Sequence, residues 1–151
     1  MNGRTIYLLA ALAGGAFIPI QVAINTLLRR YVGEPMQVTF ISYFVGMLTS
    51  LMICFFAQYP LPTSTALTQT SWWMWTGGCF GTLYVWATIV STLRIGATLT
   101  LALTFAGQMM AALFLDHYGA IGLEKYPASP TRIAGVVIVF LGVSLVAHAK
   151  R

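Results

Sequence analysis

Carboxylates are nearly missing from this sequence. Asp and Glu together number 3 in 151 residues, as Glu34, Asp116 and Glu124, against 8 Lys and Arg. Histidine and cysteine number 2 each, without metal-ligand spacing, so neither a metal nor any other cofactor is implied. No Ser/His pair, aspartate pair or HExxH lies in the apolar stretches, which sets an intramembrane enzyme aside. Cys54 and Cys79 fall inside apolar runs and read as unpaired small core residues.

Charge of either sign is also scarce, at 7% of residues. A soluble domain carries roughly a quarter, to cover its surface. With 58% hydrophobic residues and a mean hydropathy of +0.81, this chain cannot be wetted all round, and a lipid bilayer is the expected solvent. The formal net charge of +5 forms no nucleic-acid-binding face. The basic residues stand at the ends of apolar runs, where they set membrane orientation.

What is abundant is apolar sequence in lengths suited to a bilayer, which needs about 20 residues per helix. Five spans are expected, at about 5–28, 36–58, 72–93, 97–115 and 133–148. The first could mimic a signal peptide, with Arg4 ahead of Ala11-Leu12-Ala13. Its apolar stretch before that site is shorter than the usual 7–15 residues and continues to Leu28, so an uncleaved membrane helix is expected. Gly33 and Pro35 break the chain after Arg29-Arg30. Trp72, Trp73 and Trp75 open the third span as headgroup anchors. Arg94 and Gly96 make a tight turn into the fourth, and Ser129, Pro130 and Thr131 start the fifth.

The informative stretch is GGAFIPIQVAINTLLRR, from Gly14 to Arg30. Gly14, Gln21 and Asn25 repeat at seven and four residues, one helical stripe with Tyr7 a heptad earlier. Pro19 lies on the far side, where it is expected to kink the helix and free the Gly15 carbonyl. An unpaired amide in hydrocarbon costs a few kcal/mol, so these groups face partners or a wet cavity. Ser42, Gly46 and Ser50 form a small-residue stripe on the second span, and Gly77 and Gly81 a GxxxG on the third. On the fourth, Thr100, Thr104 and Gln108 recur every four residues, making Gln108 a candidate partner for the first helix. The expected solute cavity is lined by Tyr7, Gln21, Asn25, Tyr84, Trp86, Thr104 and Gln108. With no fixed negative charge at mid-depth, a neutral or zwitterionic solute fits as well as a cation.

Glu34 and Glu124 read as solvated loop residues. Asp116 has two readings. It pairs at the interface with Arg94, Arg132 or a backbone amide, or it carries a coupling proton with His117 as neighbour. At about 1.5 Å per residue it lies roughly 12 Å along the helix from Gln108. Gly135 and Gly142, seven apart on the fifth span, form a seam suited to dimerisation.

Five helices put the termini on opposite sides. Arg29, Arg30, Arg94, Lys150 and Arg151 then face Arg4, Lys125 and Arg132, an excess that favours N-out and C-in while permitting dual insertion. Because five helices enclose little, a dimer is expected. It is either antiparallel with itself or formed with an oppositely inserted paralogue, with a small solute held between inverted halves.

The segments GAFIPIQVAINTLLRRYVGEPMQVTFISYFVG, WWMWTGGCFGTLYVWATI, IGATLTLALTFAGQMMAALFLDHYGAIG and SPTRIAGVVIVFLGVSLV resemble the YdcZ-like family. This is a branch of the drug/metabolite transporter (DMT) superfamily of bacterial inner membranes. The P-x-Q-x-x-x-N and G-Q…D-H-x-G patterns carry the resemblance, which spans nearly the whole chain. It implies an all-α five-helix half of a ten-helix inverted-repeat transporter that exports a small organic solute. The small multidrug resistance branch couples protons through a first-helix glutamate. Here Gln21 and Asn25 hold the stripe instead, and an amide does not titrate, so that mechanism is not carried over. The Gly135 and Gly142 seam is similar to that branch's dimerising last helix. The competing function is an accessory or scaffold membrane protein that transports nothing itself.

Overall fold

The structure, a computed structural model, describes residues 3–60 and 62–149. Lys150 and Arg151, used above for orientation, lie outside the described residues, as does the Arg4 side chain. The regular elements among the described residues are helices, and these residues contain no strand. In order they form α1 (Gly3–Val32), α2 (Pro35–Phe56), α3 (Ser64–Gln69), α4 (Gly77–Ile95), α5 (Ala97–Tyr118) and α6 (Pro130–His148). Short 3-10 turns at Trp72–Thr76 and Ala120–Gly122 precede α4 and follow α5.

Five helical stretches are long and apolar enough to cross a membrane: Thr5–Val32, Pro35–Phe56, Trp72–Ile95, Ala97–Tyr118 and Pro130–His148. Large apolar side chains stand exposed along all of them, including Leu12, Phe17, Phe55, Phe80, Phe114 and Leu145. Such a surface would aggregate in water and suits acyl chains.

The ends differ from the sequence expectation for physical reasons. α1 continues past Leu28 to Val32, taking Arg29 and Arg30 into its last turn, where cations meet the negative end of the helix dipole. It stops where Gly33 turns to φ +106° and Pro35 opens α2. Pro19 lies inside an uninterrupted α1. α5 extends to Tyr118 and is capped by Gly119 in the left-handed region, whose N–H returns to the Asp116 carbonyl. α6 starts at Pro130 because Ser129 Oγ accepts from the Arg132 N–H. The loop helix α3 has no strong signal in its sequence.

The chain divides into two compact units, Met1–Val90 and Ser91–Arg151. In the first, α1 packs on α2, and Val38, Val85 and Ile89 form a buried cluster covered by Leu28, Val32 and Tyr84. Lipid is as apolar as these side chains, so close packing rather than water exclusion holds them together. In the second unit α5 packs on α6. Val136 and Val143 are the buried positions of α6.

Candidate functional site

In the first unit the polar groups of α1 meet the small-residue stripe of α2. Asn25 is only 5% exposed, and its Nδ2 donates to Ser42 Oγ at 3.3 Å. One turn earlier, Gln21 Nε2 donates to the same oxygen at 3.4 Å. The spacing of four on α1 thus brings two amides onto one hydroxyl. The sequence pointed to Gln108, of the second unit, as their partner; within the first unit both amides meet Ser42. What pointed to Ser42 was its place in the Ser42, Gly46, Ser50 stripe, which read as a packing surface alone.

Beside this junction lies an open groove of about 500 Å³. α1 contributes Gln21. The α2 side supplies Ser42, Tyr43, Gly46, Met47 and Ser50, and α4 supplies Tyr84 and Val85. One of the three glycines of α4 has a specific task here. A Cβ on Gly81 would overlap the Tyr43 hydroxyl, whereas one on Gly77 or Gly46 would meet nothing within 4 Å. Absence of a side chain at Gly81 therefore seats the Tyr43 ring between α2 and α4. Val38, Val85 and Ile89, with Leu28 and Val32, occupy the next level toward the Arg29 end of α1, so the groove lies on the Gly14 side of an apolar layer.

The groove thus gathers Gln21 and Tyr84 from the expected lining, with Asn25 adjoining through Ser42. Tyr7 and Trp86 are exposed and do not line it. Thr104 and Gln108 belong to the second unit. The Thr104 hydroxyl donates to the Leu101 carbonyl at 3.0 Å, and Gln108 is exposed on α5. Tyr43, Met47 and Ser50 are additions that the sequence did not flag as solute-lining.

Asp116 sits in a clasp joining α5 to α6. Its Oδ2 accepts from the Arg132 guanidinium at 3.0 Å, and its backbone carbonyl accepts from the Tyr126 N–H at 2.8 Å. Arg132 also donates to the Tyr126 carbonyl at 3.2 Å. His117 Nδ1 accepts from the Ala128 N–H at 3.0 Å. A hydrogen bond to Glu124, with burial adding to it, raises the Tyr126 phenol above its ordinary value. The Asp116 and Arg132 side chains are 33% and 44% exposed, where an ion pair contributes about 0–1 kcal/mol. No cluster of three or more metal-binding side chains occurs among the described residues.

A family model described as "Putative inner membrane exporter, YdcZ" matches residues 6–145. The chain belongs to the YdcZ family. The Inner membrane protein YdcZ of Escherichia coli (strain K12) is 28% identical over 104 residues, 69% of this chain and 69% of that protein. No solved structure matches. Membership in the YdcZ family and five bilayer-length helices make this a multi-spanning inner membrane protein of a transporter family rather than an enzyme family.

Proposed function

We propose that this chain exports a small organic solute by alternating access, and that the groove between α1, α2 and α4 is where the solute binds. The observation that carries this reading is the pair of amides held on Ser42 beside an open groove in an otherwise apolar unit. Interhelical hydrogen bonds in membranes average only about 0.6 kcal/mol, so structural glue alone is a weak reason for two amides at one depth. Tyr7, Trp86, Thr104 and Gln108 complete the lining in this proposal, at stages of the cycle in which a second half closes over the groove. Pro19 is proposed as the weak point of α1 that lets it bend, since proline removes one backbone hydrogen bond.

The second half comes from a homodimer, antiparallel in the simplest case, or from an oppositely inserted paralogue, and together they make a ten-helix inverted repeat. The α6 seam suits this role. A Cβ on Gly135 or Gly142 would meet nothing within 4 Å, which leaves both positions free for close helix contact. Single cysteines at opposite ends of the chain should cross-link head to tail in a background lacking Cys54 and Cys79. Cross-links confined to like ends would rule out the antiparallel arrangement. N-out, C-in is the proposed orientation of the majority.

For coupling we keep Asp116 and His117. Asp116 would take up a proton by releasing Arg132, which loosens the clasp at the α5–α6 turn. Asp116→Asn should then abolish acceleration of flux by a pH gradient while sparing downhill exchange. Unchanged pH-driven flux in that variant would make the pair a loop clasp only. An accessory protein remains the alternative function. Proteoliposomes containing this chain alone should release a loaded solute mixture faster than protein-free liposomes, and equal rates would favour the accessory role.

A further inference from the structure

Ser42 fixes which hydrogen-bonding groups the groove offers to a guest. Its Oγ lies within hydrogen-bond reach of Gln21 Nε2 and Asn25 Nδ2, at 3.4 and 3.3 Å. A hydroxyl has one hydrogen, so two amides cannot both accept from it, and here both donate. They occupy its lone pairs. The Ser42 hydrogen makes no bond among the described residues and is left for a guest. Ser50 has the opposite polarity, because its hydroxyl donates to the Met47 carbonyl at 2.9 Å and only its lone pairs remain. The Gln21 carbonyl is a second acceptor, and the Tyr84 hydroxyl has no partner among the described residues.

No charged side chain among the described residues lines the groove. Arg29 stands one turn beyond Asn25 on α1, but the Val38, Val85 and Ile89 layer with Leu28 and Val32 lies at that level. An ion taken from water into such a place would lose its hydration and find no countercharge, which costs far more than burying a hydroxyl that finds partners. The matched donors and acceptors compensate a neutral polar solute and leave an ion uncompensated.

We infer that the groove selects a solute with no ionised group, one that presents a carbonyl, ether or hydroxyl oxygen to Ser42 and a hydrogen to Ser50 or the Gln21 carbonyl. Ser42 is the specificity-determining residue, held in its donor role by Gln21 and Asn25. This rests on the groove being the solute site.

The test uses the full chain in proteoliposomes. One batch is loaded with the fraction of a bacterial small-molecule extract that passes strong cation and anion exchangers. The other is loaded with the fraction those exchangers retain, and release is followed by mass spectrometry. Release should come from the uncharged fraction. Ser42→Ala should slow it about tenfold, the scale of one lost hydrogen bond, while Ser42→Thr, which keeps the hydroxyl, stays within about threefold. Protein-dependent release from the retained fraction, or undiminished release by a folded Ser42→Ala protein, would overturn the inference and leave the transport reading standing. No release of either fraction by folded wild-type protein would overturn the transport reading, and this inference with it.

Discussion

Replacing Asn25 by alanine should reduce the proposed transport at least about tenfold, while insertion and the proposed dimerisation continue. Asn25 is buried and donates to Ser42, so its loss returns a lone pair to that hydroxyl and leaves its orientation to chance. The expected cost in fold stability is small, about 0.6 kcal/mol on average and at most about 1.7 for such bonds in membranes. The effect on a binding step is larger, because a tenfold loss needs only about 1.4 kcal/mol and a mispaired polar site supplies that much. Gln108→Ala should act in the same direction if α5 contributes to the closed cavity. Flux per molecule, with insertion checked by protease protection, is the measurement. Normal transport by both variants would remove the proposed cavity.

Gly81→Ala should be the most damaging of the small substitutions in α4. Its new methyl would overlap the Tyr43 hydroxyl, the far end of a side chain that is 40% exposed, so the ring should swing out of its seat at the low end of the about 1–3 kcal/mol that overpacking costs. Tyr43 lines the groove, so its displacement should reduce flux as well as thermal stability in detergent. Two controls make the assignment specific. Gly77→Ala should behave as wild type, since its Cβ would meet nothing within 4 Å. Tyr43→Phe removes the clashing oxygen and should restore most of the stability of Gly81→Ala, a coupling that a double-mutant cycle reads directly. If Gly77→Ala and Gly81→Ala were equally harmful, helix propensity or dimer contact rather than the Tyr43 seat would explain both.

The spans were legible because lipid imposes length and apolarity on them, and those need no knowledge of neighbours. Helix ends were less so. The expected α1 stopped at the arginines, whereas the dipole draws Arg29 and Arg30 into its last turn. The left-handed backbone at Gln58 and Ile121 had no sign in the sequence either, since neither residue favours that conformation.

The amide stripe on α1 was visible from spacing alone, and so was the need for a partner. Choosing the partner was beyond the sequence. Ser42 recurs at intervals of four with Gly46 and Ser50, and whether it faces Asn25 depends on the rotation of α2 about its axis. Likewise GxxxG on α4 read as one surface, while Gly81 meets Tyr43 and Gly77 meets open space. Three-dimensional packing separates residues that share a pattern.

A structure of the protein in lipid nanodiscs as the proposed dimer, prepared with the uncharged solute fraction, would address the proposed solute site itself. Compact non-protein density should lie in the groove, within hydrogen-bond distance of Ser42 and beside Asn25 and Tyr84. A groove filled by an acyl chain continuous with the bilayer, or sealed by side chains of the second half in every conformation, would contradict a solute site at this place.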